Sequence, residues 1–298
     1  MRLGVDLGGT KTEIIALGDS GAEILRRRIA TVRDYSGTVQ AIAGLVAEAE
    51  KQLGLRGSVG LAIPGTVSRL TGLIKNANST WLNGKPFARD LENVLGRPVR
   101  LANDANCFAL SEAADGAGAG CGVVFGVILG TGTGGGVVVN GQVVGGAHGI
   151  GGEWGHNPLP GMTAEEWREA PACYCGQRGC IEQWLSGPAL AEDFKRHEGR
   201  AHPDWTAEEI APSQTPEAQA AMDRWMERLG RALASVVNIL DPDAIVLGGG
   251  LSNIERLYRD LPPIVERHAF TPEAPSRIVK NRHGDSSGVR GAAWLWAL

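Results

Sequence analysis

The chain has 298 residues, 43% of them hydrophobic and 21% charged. That is a soluble globular composition with room for one large or two medium domains. Its net charge of −4 argues against a broad nucleic-acid or membrane surface, and no apolar run approaches the ~20 residues of a membrane span. Met1 to Leu7 enters a strand-like run at once, without a leader's charged-then-apolar order, which points to a cytoplasmic protein.

Leu3 to Leu7 reads as a buried strand and Thr12 to Leu17 as its hairpin partner, joined by Gly8-Gly9-Thr10-Lys11. A third strand is predicted near Glu23 to Ile29. A helix follows over 36–54, capped by Ser36, with Val39, Ile42, Val46 and Leu53 on one face and Gly54 as its stop. Val59 to Ile63 is a strand, Val99 to Leu101 another, and Ala105 to Ala114 a helix. Val123 to Leu129 and Gly136 to Val139 form a second strand pair across a glycine turn, and Asn140-Gly141 suits a type I′ turn. Residues 196–215 have weak periodicity and read as a mobile connection. A long helix fits Pro216 to Leu240, ended by Asp241-Pro242; Ala244 to Leu247 is a buried strand; Ser286 to Leu298 is a closing helix. Strand, glycine turn, strand at 3–17 recurs at 123–139, so a duplicated α/β unit with a ligand cleft is expected.

His156, Cys173, Cys175 and Cys180 offer one imidazole and three thiolates, a set that suits four-coordinate Zn²⁺. The alternative is three buried or disulfide-forming thiols, and disulfides are disfavoured in a reducing compartment. Glu153 and Glu182 bracket this set, so a metal staple there would hold two carboxylates able to accept several hydroxyls.

Gly8, Gly9, Thr10 and Lys11 form a turn whose amides, hydroxyl and cation fit phosphate oxygens; Asp6 beside them is a candidate Mg²⁺ ligand. Gly130-Thr131-Gly132-Thr133 is a second turn of that type. Gly248-Gly249-Gly250 would let a nucleotide lie flat on the backbone, and the plain alternative is a strand-to-helix turn. Asp104 opens a helix after Asn103. Read alone it is an N-cap carboxylate; beside phosphate turns it is the candidate to accept a hydroxyl proton. Asn76-Ala-Asn78-Ser-Thr80-Trp81 is a polar loop ending in an aromatic, the mixture that binds sugars.

In order along the chain, Asp6-x-Gly-Gly-Thr-Lys11, Asn103-Asp104-Ala-Asn106, Gly130-Thr-Gly-Thr-Gly, Glu153-Trp-Gly-His156 and Cys173-x-Cys-Gly-x₂-Gly-Cys-x-Glu182 resemble the ROK family of bacterial sugar kinases and sugar-responsive repressors. The resemblance runs from end to end. Lys75 to Gly84 and Gly284 to Trp296 are most similar to the fructokinase (mannofructokinase) branch. It implies an α/β, actin-like (ribonuclease H-like) ATPase fold, with residues 1–115 plus 283–298 as one domain and 116–282, carrying the zinc loop, as the other. It implies transfer from ATP to the 6-hydroxyl of fructose and of mannose. The alternative within the family is a glucokinase or N-acetylhexosamine kinase. Asp104 would be the base; Asn78, Asn103, Asp104, Glu153, His156 and Glu182 would surround the hexose; zinc would be structural and Mg²⁺ would accompany ATP; a homodimer is expected. A repressor of the family would need a DNA-binding module, for which residues before Asp6 leave no room.

Overall fold

The computed structural model describes residues 1–197, 202, 204–271, 276–284 and 287–296. Its strands are β1 (Arg2–Leu7), β2 (Lys11–Leu17), β3 (Glu23–Ala30), β4 (Ser58–Ile63), β5 (Thr66–Val67), β6 (Ile74–Lys75), β7 (Val99–Asn103), β8 (Val123–Leu129), β9 (Thr133–Val139), β10 (Gln142–Val143), β11 (Ala244–Gly248) and β12 (Ile278–Lys280). Its helices are α1 (Tyr35–Leu53), α2 (Phe87–Leu95), α3 (Asp104–Ala114), α4 (Ala164–Glu169), α5 (Glu182–Leu185), α6 (Gly187–His197), α7 (Ala207–Ile210), α8 (Pro216–Leu240), α9 (Arg256–His268) and α10 (Ser287–Trp294). No helix among the described residues is long and apolar enough to cross a membrane.

Two five-stranded sheets share one plan: β3-β2-β1-β4-β7 and β10-β9-β8-β11-β12. In the first, β1 pairs antiparallel with β2 and parallel with β4, and β4 runs parallel to β7. In the second, β11 runs parallel to both β8 and β12. The repeat legible at 3–17 and 123–139 is therefore a repeat of sheet topology.

The chain divides into two compact units. The first holds Met1–Gly120, Gly136–Gly151 and Arg282–Leu298; the second holds Cys121–Gly135 and Gly152–Asn281. The division passes inside β9.

In the first unit, Leu3, Val5, Leu7, Ile42, Val46, Leu61 and Phe87 form a core between sheet and helices. Its burial of apolar surface is the main stabilising term, at about 25 cal/mol per Å². The opposite side of the same sheet carries α10, which packs on α3, β1 and β4. That contact is backbone against backbone: a Cβ on Gly60 would lie 1.9 Å from the Ala292 carbonyl oxygen. The helix at Tyr35–Leu53 is capped by Asp34, not by Ser36: the Asp34 carboxylate takes the Gly37 N–H at 2.7 Å, and the Ser36 hydroxyl turns back to Asp34. The extended φ/ψ of Asp34 and its reach to the third amide make it the better cap. Ser286, Ala297 and Leu298, part of the expected closing helix, lie outside the described residues, as does Asp285 before it.

Candidate active site

In the first unit the Gly8–Lys11 turn is a tight hairpin. Gly8 N–H donates to the Lys11 carbonyl at 3.0 Å, and Thr31 fastens the turn from the end of β3, its N–H to Thr10 O and its hydroxyl to Gly8 O. The Lys11 side chain stays exposed. Asp6 is half-buried between the buried Val5 and Leu7 of β1, just before this turn. Burial pushes its carboxyl up to about 7, Asp104 and Glu13 push the same way, and Arg28 opposes them. Asp6 and Asp104 therefore resist each other's ionisation. A hard divalent cation relieves that opposition, and the donors are all oxygen, so the set fits Mg²⁺.

The cap of α3 is Asn103, which makes Asp104 the first helical residue. Asn103 Oδ1 and Asp104 Oδ1 both accept the Ala105 N–H, at 2.9 and 2.8 Å, and the Asn103 amide reaches the Gly65 carbonyl at 3.3 Å. Solvent reaches Asp104. The protein around it still raises its pKa, against the Ala105 N–H and the Asn103 side chain. A carboxylate with a raised pKa is a stronger proton acceptor than an ordinary one. Asn78 is exposed in a loop that Asn83 shapes, pairing with both the N–H and C=O of Ala77 at 2.9 Å. Trp81, expected as a wall for sugar C–H faces, packs on the core and donates to Thr38 of α1 at 3.1 Å.

In the second unit, the start of β9 is the platform. Trp154 Nε1 donates to the Gly134 carbonyl at 2.9 Å, with its ring edge-on to Phe125. Glu182, at the start of α5, accepts the Thr133 N–H at 3.0 Å. A Cβ on Gly132 would come within 2.6 Å of that carboxylate. The turn Glu153–His156 and the carboxylate of Glu182 are thus pinned to one strand end. One consequence was not legible beforehand: the Thr133 amide, expected for phosphate, is already given to Glu182.

His156, Cys173, Cys175 and Cys180 bring their ligand atoms within 4.8 Å of one another. His156 Nδ1 lies 3.6 Å from Cys173 Sγ, and Cys175 Sγ lies 3.6 Å from Cys180 Sγ. A tetrahedral zinc with Zn–S of about 2.3 Å and Zn–N of about 2.0 Å spaces its ligand atoms by roughly 3.6–3.8 Å. The four groups therefore fit zinc, and all five cysteines of the chain are free thiols. Burial and the neighbouring thiols push Cys180 up to about 12, an opposition that a bound cation removes. The loop is braced by short β-bridges, Pro158 to Cys180 and Ala172 to Arg178. Gln183 Nε2 points at Cys173 Sγ from 3.8 Å, and Tyr174 meets His156 Nε2 at 3.0 Å. Burial first, then Glu182, raises the Tyr174 phenol to about 12, so it keeps its proton.

A cavity of about 920 Å³ lies in the second unit, lined by Gly130 and Thr131, by Gly250, and by Lys195, Trp205 and Thr206. Two of the three expected nucleotide turns thus open on one hollow. Gly249, at φ 80°, carries the chain past the Leu129 carbonyl. Trp205 stacks on Phe194, interplanar 8°. Sequence reading missed this wall, because 196–215 lacks periodicity. Its signal was Thr206-x-x-Glu209, a capping box that starts α7; residues 198–201 and 203 of that stretch lie outside the described ones.

Two α/β units of one topology, one with paired carboxylates and both with glycine turns after strands, define an actin-like ATPase fold. The chain belongs to the ROK family, whose model matches residues 2–298. It is 41% identical to an N-acetyl-D-glucosamine kinase of Vibrio cholerae over 99% of both chains. It resembles the crystal structure of a ROK hexokinase from Thermus thermophilus at TM-score 0.86 and 32% identity, covering 98% of this chain and 96% of that one. It also resembles a ROK glucokinase of Streptomyces griseus in complex with glucose and AMPPNP, at TM-score 0.76, 28% identity and 99% and 98% coverage.

Proposed function

We propose that this chain is an ATP-dependent hexose kinase that phosphorylates the 6-hydroxyl of N-acetyl-D-glucosamine. It is an ATP-dependent sugar kinase of the ROK family, supported by the family match over 2–298 and by kinase relatives spanning the whole chain. The sugar rests on one observation, the 41% identity to an N-acetyl-D-glucosamine kinase over 99% of both chains. Fructose is the second reading, carried by the resemblance of Lys75–Gly84 and Gly284–Trp296 to fructokinases. Reaction type survives sequence divergence better than the choice of one hydroxyl or acetamide, which depends on single side chains.

The residues have these roles in the reading. Gly8 to Lys11, Gly130 to Gly132 and Gly248 to Gly250 hold ATP, its base in the cavity of the second unit, while Thr133 serves to anchor Glu182. Asp6 would hold Mg²⁺, which when bound would supply charge neutralisation for the transferring phosphoryl group. Asp104 aims the hydroxyl oxygen and takes its proton. Asn78, Asn103, Glu153, His156 and Glu182 bind the hexose. His156, Cys173, Cys175 and Cys180 would hold zinc with no open position, so zinc supplies rigidity and not Lewis acidity. The test is coupled ADP release across N-acetyl-D-glucosamine, fructose, mannose and glucose. Highest kcat/KM with N-acetyl-D-glucosamine supports the reading. A fructose lead replaces the sugar and keeps the reaction. No sugar-dependent release from zinc-loaded protein overturns the kinase.

A further inference from the structure

Glu112, in the last turn of α3, is a fully buried carboxylate. Its Oε2 accepts the Ala117 N–H at 2.9 Å and the Arg282 N–H at 3.0 Å; its Oε1 accepts the His283 N–H at 3.2 Å and the Ser287 hydroxyl at 2.8 Å. A carboxylate without a proton has about four acceptor sites, and these donors fill them. Remote pieces of chain are thereby gathered on one side chain: the end of α3, the stretch just before the chain leaves the first unit at Gly120, and the stretch on which it returns at Arg282. Ser287 is the first residue of α10. Its neighbour Gly288 lies against Asp6, where a Cβ would stand 3.1 Å from Asp6 Oδ2. Among the described residues no hydrogen bond holds the Asp6 carboxylate, so packing sets where its oxygens point, and Gly288 is part of that packing. Further along α10 the fit is equally close: a Cβ on Gly291 would lie 1.7 Å from the Cys107 carbonyl oxygen of α3. Backbone packed this tightly passes a shift on instead of absorbing it.

We propose that Glu112 is a positioning residue for Asp6: by latching the start of α10 it fixes the wall that aims the Asp6 carboxylate at Mg²⁺. The inference rests on the kinase reading and adds to it a residue that is buried away from sugar and nucleotide. Glu112→Gln keeps the shape of the side chain. Its amide can give to the Ser287 hydroxyl, but it leaves at least one backbone N–H without an acceptor. Asp115 holds the same segment through His283 at 2.9 Å and through Arg290, so α10 stays on α3 when the Glu112 latch is loosened.

The experiment compares wild type with Glu112→Gln, Gly288→Ala, Asp6→Asn and the pair Asp6→Asn with Glu112→Gln. The binding readings are Mn²⁺ Kd beside a non-hydrolysable ATP analogue, by electron paramagnetic resonance, and sugar Kd by calorimetry. The kinetic readings are the Mg²⁺ concentration for half-maximal ADP release and kcat at saturating Mg²⁺. Glu112→Gln should raise both cation constants roughly tenfold, the usual weight of a partner that orients a metal ligand. Sugar Kd should stay within about twofold, and kcat should return to within about threefold of wild type once Mg²⁺ saturates. Gly288→Ala presses on Asp6 directly and should move the same constants in the same direction. In the Asp6→Asn background Glu112→Gln should change nothing further, as required of a residue that acts only through Asp6. Additive losses in the pair overturn the proposal. Unmoved cation constants in folded Glu112→Gln and Gly288→Ala also overturn it, and make Glu112 a brace of the fold alone. If Glu112→Gln does not fold, Gly288→Ala decides by the same readings. Wild type that takes up Mn²⁺ but releases no ADP with any hexose overturns the kinase and leaves the proposal to the Mn²⁺ constants. A wild-type Mn²⁺ signal that matches the analogue alone overturns the Asp6 assignment and the proposal together.

Discussion

At the scale of single residues, two carboxylates carry opposite lessons. Asp104 was readable only in context: alone it is one more acid at a helix start, and the structure gives the cap to Asn103 instead. Asp104 shares only the Ala105 N–H with that cap, and we propose it as the proton acceptor. Asp104→Asn should lower kcat by roughly 10²–10⁴-fold, the usual share of a general base, with sugar Kd changed less than about threefold. Near-normal kcat would remove the base assignment. Asp6 makes a prediction about stability. Its carboxyl is raised to about 7 from an ordinary 3.8. Between those values the unfolded chain releases a proton that the folded chain keeps. Stability therefore falls as pH rises through that window, and levels off above about 7. Asp6→Asn imitates the protonated form. In Mg²⁺-free buffer it should melt with wild type near pH 4 and above wild type at pH 8. Melting curves that stay parallel across that range would mean that Asp6 is not raised.

At the scale of elements, helices and strands were largely legible, because 3.6- and 2-residue periodicity reports one buried face. What was not legible is pairing that needs two distant residues. Arg228 of α8 is one. Its side chain is 6% exposed and joins Glu166 of α4 at 2.8 Å to Asp193 of α6 at 2.6 Å, with its guanidinium 4.6 Å above Trp184. Nothing in a linear reading singles out one arginine among many for this. Asp193 also meets Arg224, and Glu166 meets Arg231. Because α4 lies between His156 and Cys173 in the chain, the network braces the segment that carries the zinc ligands. Arg228→Met would strand charge in the interior, a change that costs about 3–5 kcal/mol when no substitute partner exists. Arg224 and Arg231 soften it, so a loss near about 3 kcal/mol is expected, read by denaturant unfolding. Arg228→Lys should recover little, since one ammonium cannot fork to two carboxylates. A loss below about 1 kcal/mol would make the network decorative.

At the scale of the whole molecule, the duplicated plan was visible in the two strand–glycine–strand segments, and the gathering of His156, Cys173, Cys175 and Cys180 was visible in their residue types. Both are local in sequence. That the tail joins the first unit was implied by the family resemblance; its seat on β1 and β4 was not visible, because it depends on Gly60 admitting a backbone carbonyl. Gly60→Ala is expected to cost the 1–3 kcal/mol typical of overpacking, or roughly that, and to be read as a lowered melting temperature. The zinc set lets the role of the metal be located. The first unit has its own apolar core around Leu3, Ile42, Leu61 and Phe87. The ligands all belong to the second unit. The loop from His156 to Cys180 has a six-residue helix held by Arg228 and Arg231 through Glu166, two bridges and a cluster of thiols at its centre, and only the metal would tie the four ligands to one another. Stripping zinc with a chelator, or replacing Cys175 by Ser, should therefore raise amide hydrogen exchange across 153–183 while β1, β4 and β7 keep their protection. Sugar binding should weaken with it, since Glu153 and Glu182 lose their fixed positions, and Asp104 should be untouched. Uniform loss of protection over the entire chain would make zinc a requirement of the fold as a whole. No loss anywhere would mean that the strand end at Thr133 and Gly134 holds the two carboxylates without help from the metal.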